Sequence, residues 1–174
     1  MTGGEFFTRA SVWLAVTAYA VGAAMLLVAN ERPRVLRRAR WAWTIGCACF
    51  LAHVAGAFTY FHHWSHMAAY DETARQTAEL AGWRWGGGLY LNYLFASGWL
   101  IDVLSWWFTP ERFSQRSRKL TALWQGFMFF MVFNGTVVFG HGPVRWLGAI
   151  VCGGLAGMYW WQRRAAIATR RRQT

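Results

Sequence analysis

Several residue classes are scarce in this 174-residue chain. There are 3 prolines, 3 cysteines, 7 acidic residues and a single lysine. So little proline excludes collagen-like and proline-rich linker architectures. Three cysteines, Cys47, Cys49 and Cys152, cannot form a closed disulfide framework, which excludes a stapled secreted scaffold. Charged residues make up 14% of the chain, against about 25% in ordinary soluble domains, so neither a disordered tail nor a typical soluble globule fits. What fills the sequence instead is apolar: 56% hydrophobic residues, 18% aromatic, with a net charge of +11. Basic charge beside positive mean hydropathy fits apolar blocks separated by arginines. Arginine in place of lysine, 17 to 1, points to a GC-rich and therefore bacterial genome.

Five blocks are long enough to approach or cross a bilayer of about 30 Å. They lie at about 11–29, 41–61, 88–109, 120–140 and 146–161. Lipid offers no hydrogen-bond partners to a backbone, so each must be helical. The expected fold is a single all-α membrane domain, a bundle of five transmembrane helices. An outer-side helical loop spans about 65–81, and a cytoplasmic tail covers 163–174. Residues 1–29 read as a retained helix, because the leading segment has Glu5 and no early positive charge. No lipidation motif is expected, since no cysteine lies near either end.

Loop charge sets the orientation. Segments 30–40, 110–119 and 163–174 hold 14 of the 18 Lys and Arg, and they alternate with the spans. The positive-inside rule then places the N-terminus outside and the C-terminus in the cytoplasm of a bacterial inner membrane. Tryptophans near the proposed span ends, among them Trp41, Trp43, Trp64, Trp83, Trp85, Trp106, Trp107, Trp146, Trp160 and Trp161, read as an interfacial belt. Because the arginines flank spans, their expected partners are anionic lipid headgroups, and nucleic acid is excluded as a partner. In the last span, Gly148, Cys152 and Ala156, and likewise Gly153 and Gly157, recur every four residues. Such stripes allow close helix packing within the bundle or, as the alternative, a homodimer face.

The outer loop carries His62, His63 and His66, and His141 belongs to the same level from the fourth span. At i, i+4 on one helix, His62 and His66 can reach a single ion. Imidazole ligates both transition metals and haem b, so these four histidines form the candidate cofactor site. Asp71, Glu72 and Glu79 are possible supporting ligands. Ser65 is the expected helix cap and Gly82 the stop, with Asp71 and Arg75 paired at i, i+4.

Four polar residues lie within spans: His53, Asn92, Asp102 and Asn134. His53 lies roughly 12 Å below the outer boundary, at about the depth of Asn134, which makes a His53–Asn134 hydrogen bond the expected contact. Asp102 is about 9 Å deeper, at a level where a carboxylate costs around 2.5–3.5 kcal/mol and must face a partner or water. Thr44, Thr59 or Gln125 could link it to His53, and Asn92 could join either network. Protonated Asp102, bonded to a neighbouring helix, is the structural alternative.

No Walker, nucleophile-elbow or HExxH pattern is present. Three functions remain in play: a small subunit holding haem b or a metal ion, a non-catalytic accessory or assembly subunit associated with other membrane subunits, and a channel or proton-coupled carrier built on Asp102.

Overall fold

The computed structural model describes residues 2–29, 32–140 and 142–171, with backbone alone at 166 and 169–171. Every regular element among them is helical: α1 (Gly3–Val28), α2 (Pro33–Ala57), α3 (His66–Ala81), α4 (Gly88–Phe108), α5 (Pro110–Ser114), α6 (Arg118–Phe133) and α7 (Pro143–Arg171). α2 and α6 each run on into a single π-helical turn, at Phe58–His62 and Asn134–Val138. Three of these rods are long and apolar enough to cross a membrane: Gly3–Val28, Pro33–His62 and Arg118–Val138. Large apolar side chains such as Leu14, Ile45, Ile101, Leu123 and Ile150 point outward, as lipid-facing residues do. These are the features of a membrane protein.

The helices outrun the apolar blocks. α1 begins at Gly3 and α2 at Pro33, each about two turns before the first uncharged run. Local chemistry explains both starts. Thr2 and Glu5 form a reciprocal capping box, with Glu5 N–H donating to Thr2 Oγ1 at 3.3 Å and Thr2 N–H to Glu5 Oε2 at 3.1 Å. Pro33 occupies a first-turn position, where its missing N–H costs nothing.

α1 and α2 pair antiparallel along nearly their whole length. Gly4 lies against Tyr60 at one end and Gly22 against Trp43 towards the other. α4 packs on α2, α7 packs against α6 and returns along α1, and α3 folds over the end of the bundle where Phe58–His62 lies. Trp43, Trp99, Tyr19 and Met128 are the most completely buried large side chains. The three aromatic rings interlock, Tyr19 to Trp43 at 5.5 Å and Trp43 to Trp99 at 5.6 Å, and Phe50 meets Phe95 edge-on at 4.7 Å. Trp43 therefore corrects the interfacial reading: it is a core residue.

The ends of the helices are sorted. The start of α2, α5 with its flanking turns and the last turns of α7 share one end. There, Gln162 Nε2 donates to the Leu27 carbonyl at 2.6 Å. The other end carries α3 and the histidines around Phe58–His66.

Candidate functional site

Asp102 sits on the inner face of α4 and is almost completely buried. Both carboxylate oxygens are occupied. Trp43 Nε1 of α2 donates to Oδ2 at 2.9 Å, and the Arg116 guanidinium pairs with Oδ1. Arg116 arrives from the turn between α5 and α6. Pro110 starts the short α5, and Ser117 caps α6 by accepting from Leu120 N–H at 3.2 Å. Phe113 stacks flat on Trp106 at 4.6 Å, and the guanidinium lies 4.8 Å over Phe113. The loop is thereby folded back into the bundle, where its cation meets the acid in low dielectric. The side chain of Arg116 is 20% exposed and that of Asp102 5%.

This arrangement differs from the expected polar relay. Thr44 accepts from Trp107 Nε1 at 2.9 Å, and Thr59 donates to the carbonyl of Ala55 in its own helix. Neither reaches Asp102. Asn92 stands ten residues, about 15 Å, along α4 and is exposed on the outside of that helix. Asn92 therefore takes no part in the contacts that hold Asp102.

His53 is also partnered differently. Its Nδ1 donates to the Thr8 carbonyl of α1 at 2.9 Å, and its ring lies 6.1 Å from Phe50. Asn134 Nδ2 donates instead to Phe130 O in its own helix, at 2.8 Å. Depth along a helix leaves the azimuth open. The face of α2 bearing His53 packs on α1, its antiparallel neighbour, rather than on α6. The Thr8 carbonyl is free to accept from a side chain in addition to the backbone because each carbonyl has two lone pairs.

Among the described residues, the candidate histidines His62, His63 and His66 do not converge. After the π-helical turn, His63 (φ 47°) and Trp64 (φ 58°) both adopt the left-handed conformation. Trp64 N–H donates to Phe58 O at 3.0 Å, and Ser65 N–H to His62 O at 2.8 Å. This is a helix stop, with His63 in the position that glycine usually takes. The break lies between His62 and His66, so their i, i+4 spacing never places them on one helical face. His62 packs its ring against Phe58 at 5.6 Å and lines an open cleft with Asp71, Glu72 and Arg75. His66 instead sets Nδ1 3.1 Å from Tyr93 Oη, between the rings of Tyr90 and Tyr93. His141 lies outside the described residues. Among the described residues, no three His, Cys, Asp or Glu side chains converge as a metal site. The expected haem or metal centre thus has no assembled ligand set there.

α3 forms as its caps dictate. Ser65 Oγ accepts from Ala68 N–H at 3.2 Å, and Gly82 ends the helix at φ 77°. The anticipated Asp71–Arg75 pair is replaced. Arg75 grips Glu72, with Nε to Oε2 at 2.9 Å, and also pairs with Glu79, while Asp71 lies 3.8 Å from Arg84. Donation from Arg75 holds the Glu72 carboxyl below the ordinary carboxylate range against a smaller opposing effect of burial; Gln76 and nearby His62 add to the lowering.

The small-residue stripes of α7 divide. Gly148 packs against Thr136, and Cys152 is buried, but Gly153 and Gly157 face outward with nothing within 4 Å of an added Cβ. Arg116 is the functional side chain that sequence reasoning missed. Its charge was assigned wholly to the lipid-facing loop. The one signal for it was the presence of an intramembrane acid with no cation in any apolar block. Against known protein families, curated proteins and solved structures, the chain finds no match.

Proposed function

We propose that this chain is a non-catalytic accessory or assembly subunit of a membrane complex, one whose interior polar residues fix helix packing. In this reading α1, α2, α4, α6 and α7 all cross a bacterial inner membrane, with the N-terminus outside and the arginine-rich end in the cytoplasm. The start of α2 with Arg32–Arg40, the 110–119 segment and the end of α7 with Arg163 and Arg164 lie at one end of the bundle, which supports that placement. α4 carries Asn92, Asp102 and several Trp and Tyr residues among its apolar side chains, and α7 runs from Arg145 to an arginine-rich end. The bilayer, anionic headgroups and other membrane subunits, or a second copy, are the partners this reading implies.

The observation that carries it is the closed coordination of Asp102. A carrier needs an intramembrane acid that can exchange its proton with water. Here, one oxygen of that acid accepts an indole N–H and the other faces a guanidinium, inside an aromatic shell. A cofactor subunit needs converging ligands, and His62 and His66 are held by different neighbours.

Two measurements on the full chain test the proposal. Native electrophoresis of mildly solubilised source membranes should place the protein in an assembly larger than itself. Reconstituted in proteoliposomes, it should give proton and monovalent-cation fluxes equal to those of empty vesicles. A flux abolished by Asp102→Asn in a folded variant would overturn the reading in favour of a carrier.

A further inference from the structure

Arg40 differs from the arginines around it. Arg37 and Arg38 are exposed, whereas Arg40 lies partly buried between α2 and α4. Its guanidinium sits 4.0 Å over the ring of Trp107, and Trp41 packs edge-on against that same ring at 5.0 Å. The ring is fixed in turn: Trp107 Nε1 donates to Thr44 Oγ1 at 2.9 Å, and Thr44 donates to the Arg40 carbonyl at 2.8 Å. Nη1 makes a long bond of 3.4 Å to Trp106 O, one of the last carbonyls of α4. No carboxylate pairs with Arg40 among the described residues, and its Nε is buried with no acceptor. An arginine offers five N–H donors in a planar fork. One of them is used here, weakly.

We propose that Arg40, seated on Trp107 and flanked by Trp41, is a binding site for the phosphodiester of an anionic membrane phospholipid. The inference rests on the arginine-rich end lying at a headgroup layer. The ligand must be an anion, because the Arg40 guanidinium has spare donors and, among the described residues, no counter-charge. It must approach from the bundle surface, where Trp41 is 53% exposed. Phosphate oxygens match the guanidinium fork, and acyl chains can lie along the apolar outer face beside Ile45. A net negative lipid is favoured over a zwitterionic one, whose choline would meet the same cation. Arg116 does not compete for this role, since Asp102 already neutralises it.

The test uses the full chain in detergent, stripped of lipid and titrated with phosphatidylglycerol or phosphatidylcholine, with adducts read by native mass spectrometry. The wild type should retain one phosphatidylglycerol in preference to phosphatidylcholine. Arg40→Gln should weaken that retention about tenfold, the loss expected for a charge-assisted hydrogen bond. Arg37→Gln should leave it unchanged. Trp107→Leu keeps the charge but removes the platform, and should also weaken binding; it serves if Arg40→Gln does not fold. Equal retention by Arg40→Gln and wild type would overturn the site. So would displacement of the lipid by an equal concentration of glycerol phosphate, which would make this a site for free phosphate. Carbonate extraction of the chain from vesicles separates the two claims. A chain that stays in the membrane without lipid preference sinks only this site, whereas a chain that washes off sinks the membrane placement itself.

Discussion

At the scale of single residues, His63 shows how a side chain that looks chemical can hold a purely conformational position. With φ at 47° it ends the π-helical turn, and the Trp64 N–H bond to Phe58 O closes the stop around it. Left-handed backbone costs a non-glycine residue roughly 1 kcal/mol, a cost glycine does not bear. His63→Gly should therefore raise stability by up to about 1 kcal/mol in denaturant titrations, partly offset by glycine's greater unfolded-state entropy. A His63→Gly protein that was less stable and had lost a bound metal would show the imidazole to be a ligand. Asp102 is the opposite case, a residue whose chemistry is real but wholly consumed by Trp43 and Arg116. Its burial was legible from the sequence, because an acid in an apolar block must find a partner. The identity of the partner was not, since the chain between α4 and α6 had to fold back before Arg116 could reach it.

At the scale of elements, the glycines separate packed faces from open ones. A Cβ at Gly46 would lie 2.8 Å from the ring of Trp99, which is 1% exposed and has no room to yield. One at Gly148 would lie 2.5 Å from Thr136 Oγ1. Gly46→Ala and Gly148→Ala should each cost about 1–3 kcal/mol through overpacking. Gly153→Ala meets nothing within 4 Å and should be neutral or stabilising by up to about 1 kcal/mol, as helix propensity dictates. Thermal unfolding in detergent distinguishes them, and a strongly destabilised Gly153→Ala would show that this face is covered. Both stripes look identical as sequence, because a period of four says which residues share a face and not what that face meets. Helix α3 was more legible, its Ser65 cap and Gly82 stop being local signals. Its ion pairs were not, because Arg75 had acidic partners at three spacings. Glu72 makes α3 pH-sensitive in a definite direction. Its folded pKa is depressed, so the ion pair contributes fully above the ordinary carboxylate value of about 4.3 and is lost as pH falls through the lower folded value. A spin label at the exposed Leu80 should become more mobile as pH drops below the ordinary carboxylate range, by a small amount given solvent screening, and Glu72→Gln should remove that pH dependence.

At the scale of the whole molecule, composition and loop charge were enough to read an all-helical membrane protein, since apolar runs separated by arginines leave few other folds. Helix ends were less legible, because the capping box at Thr2 and the first-turn Pro33 start α1 and α2 ahead of their apolar runs. The separation of His62 from His66 was illegible for a related reason. Helical periodicity was carried across residues 62–66, where the backbone breaks. The His53 contact failed because depth along a helix does not determine which neighbour a side chain faces. What emerges is a bundle whose interior polar groups tie α1 to α2 and α2 to α4, and bind the α5–α6 turn to both α2 and α4 through Asp102.

The most direct test of that account is a double-mutant cycle on Asp102 and Arg116, read by reversible unfolding of the full chain in detergent. Asp102→Asn and Arg116→Gln should each cost about 3–5 kcal/mol, as breaking a buried pair does. The double variant should recover at least about 2 kcal/mol of their sum, the signature of direct coupling. Stability unmoved by either substitution would contradict the claim that this ion pair is what Asp102 is for.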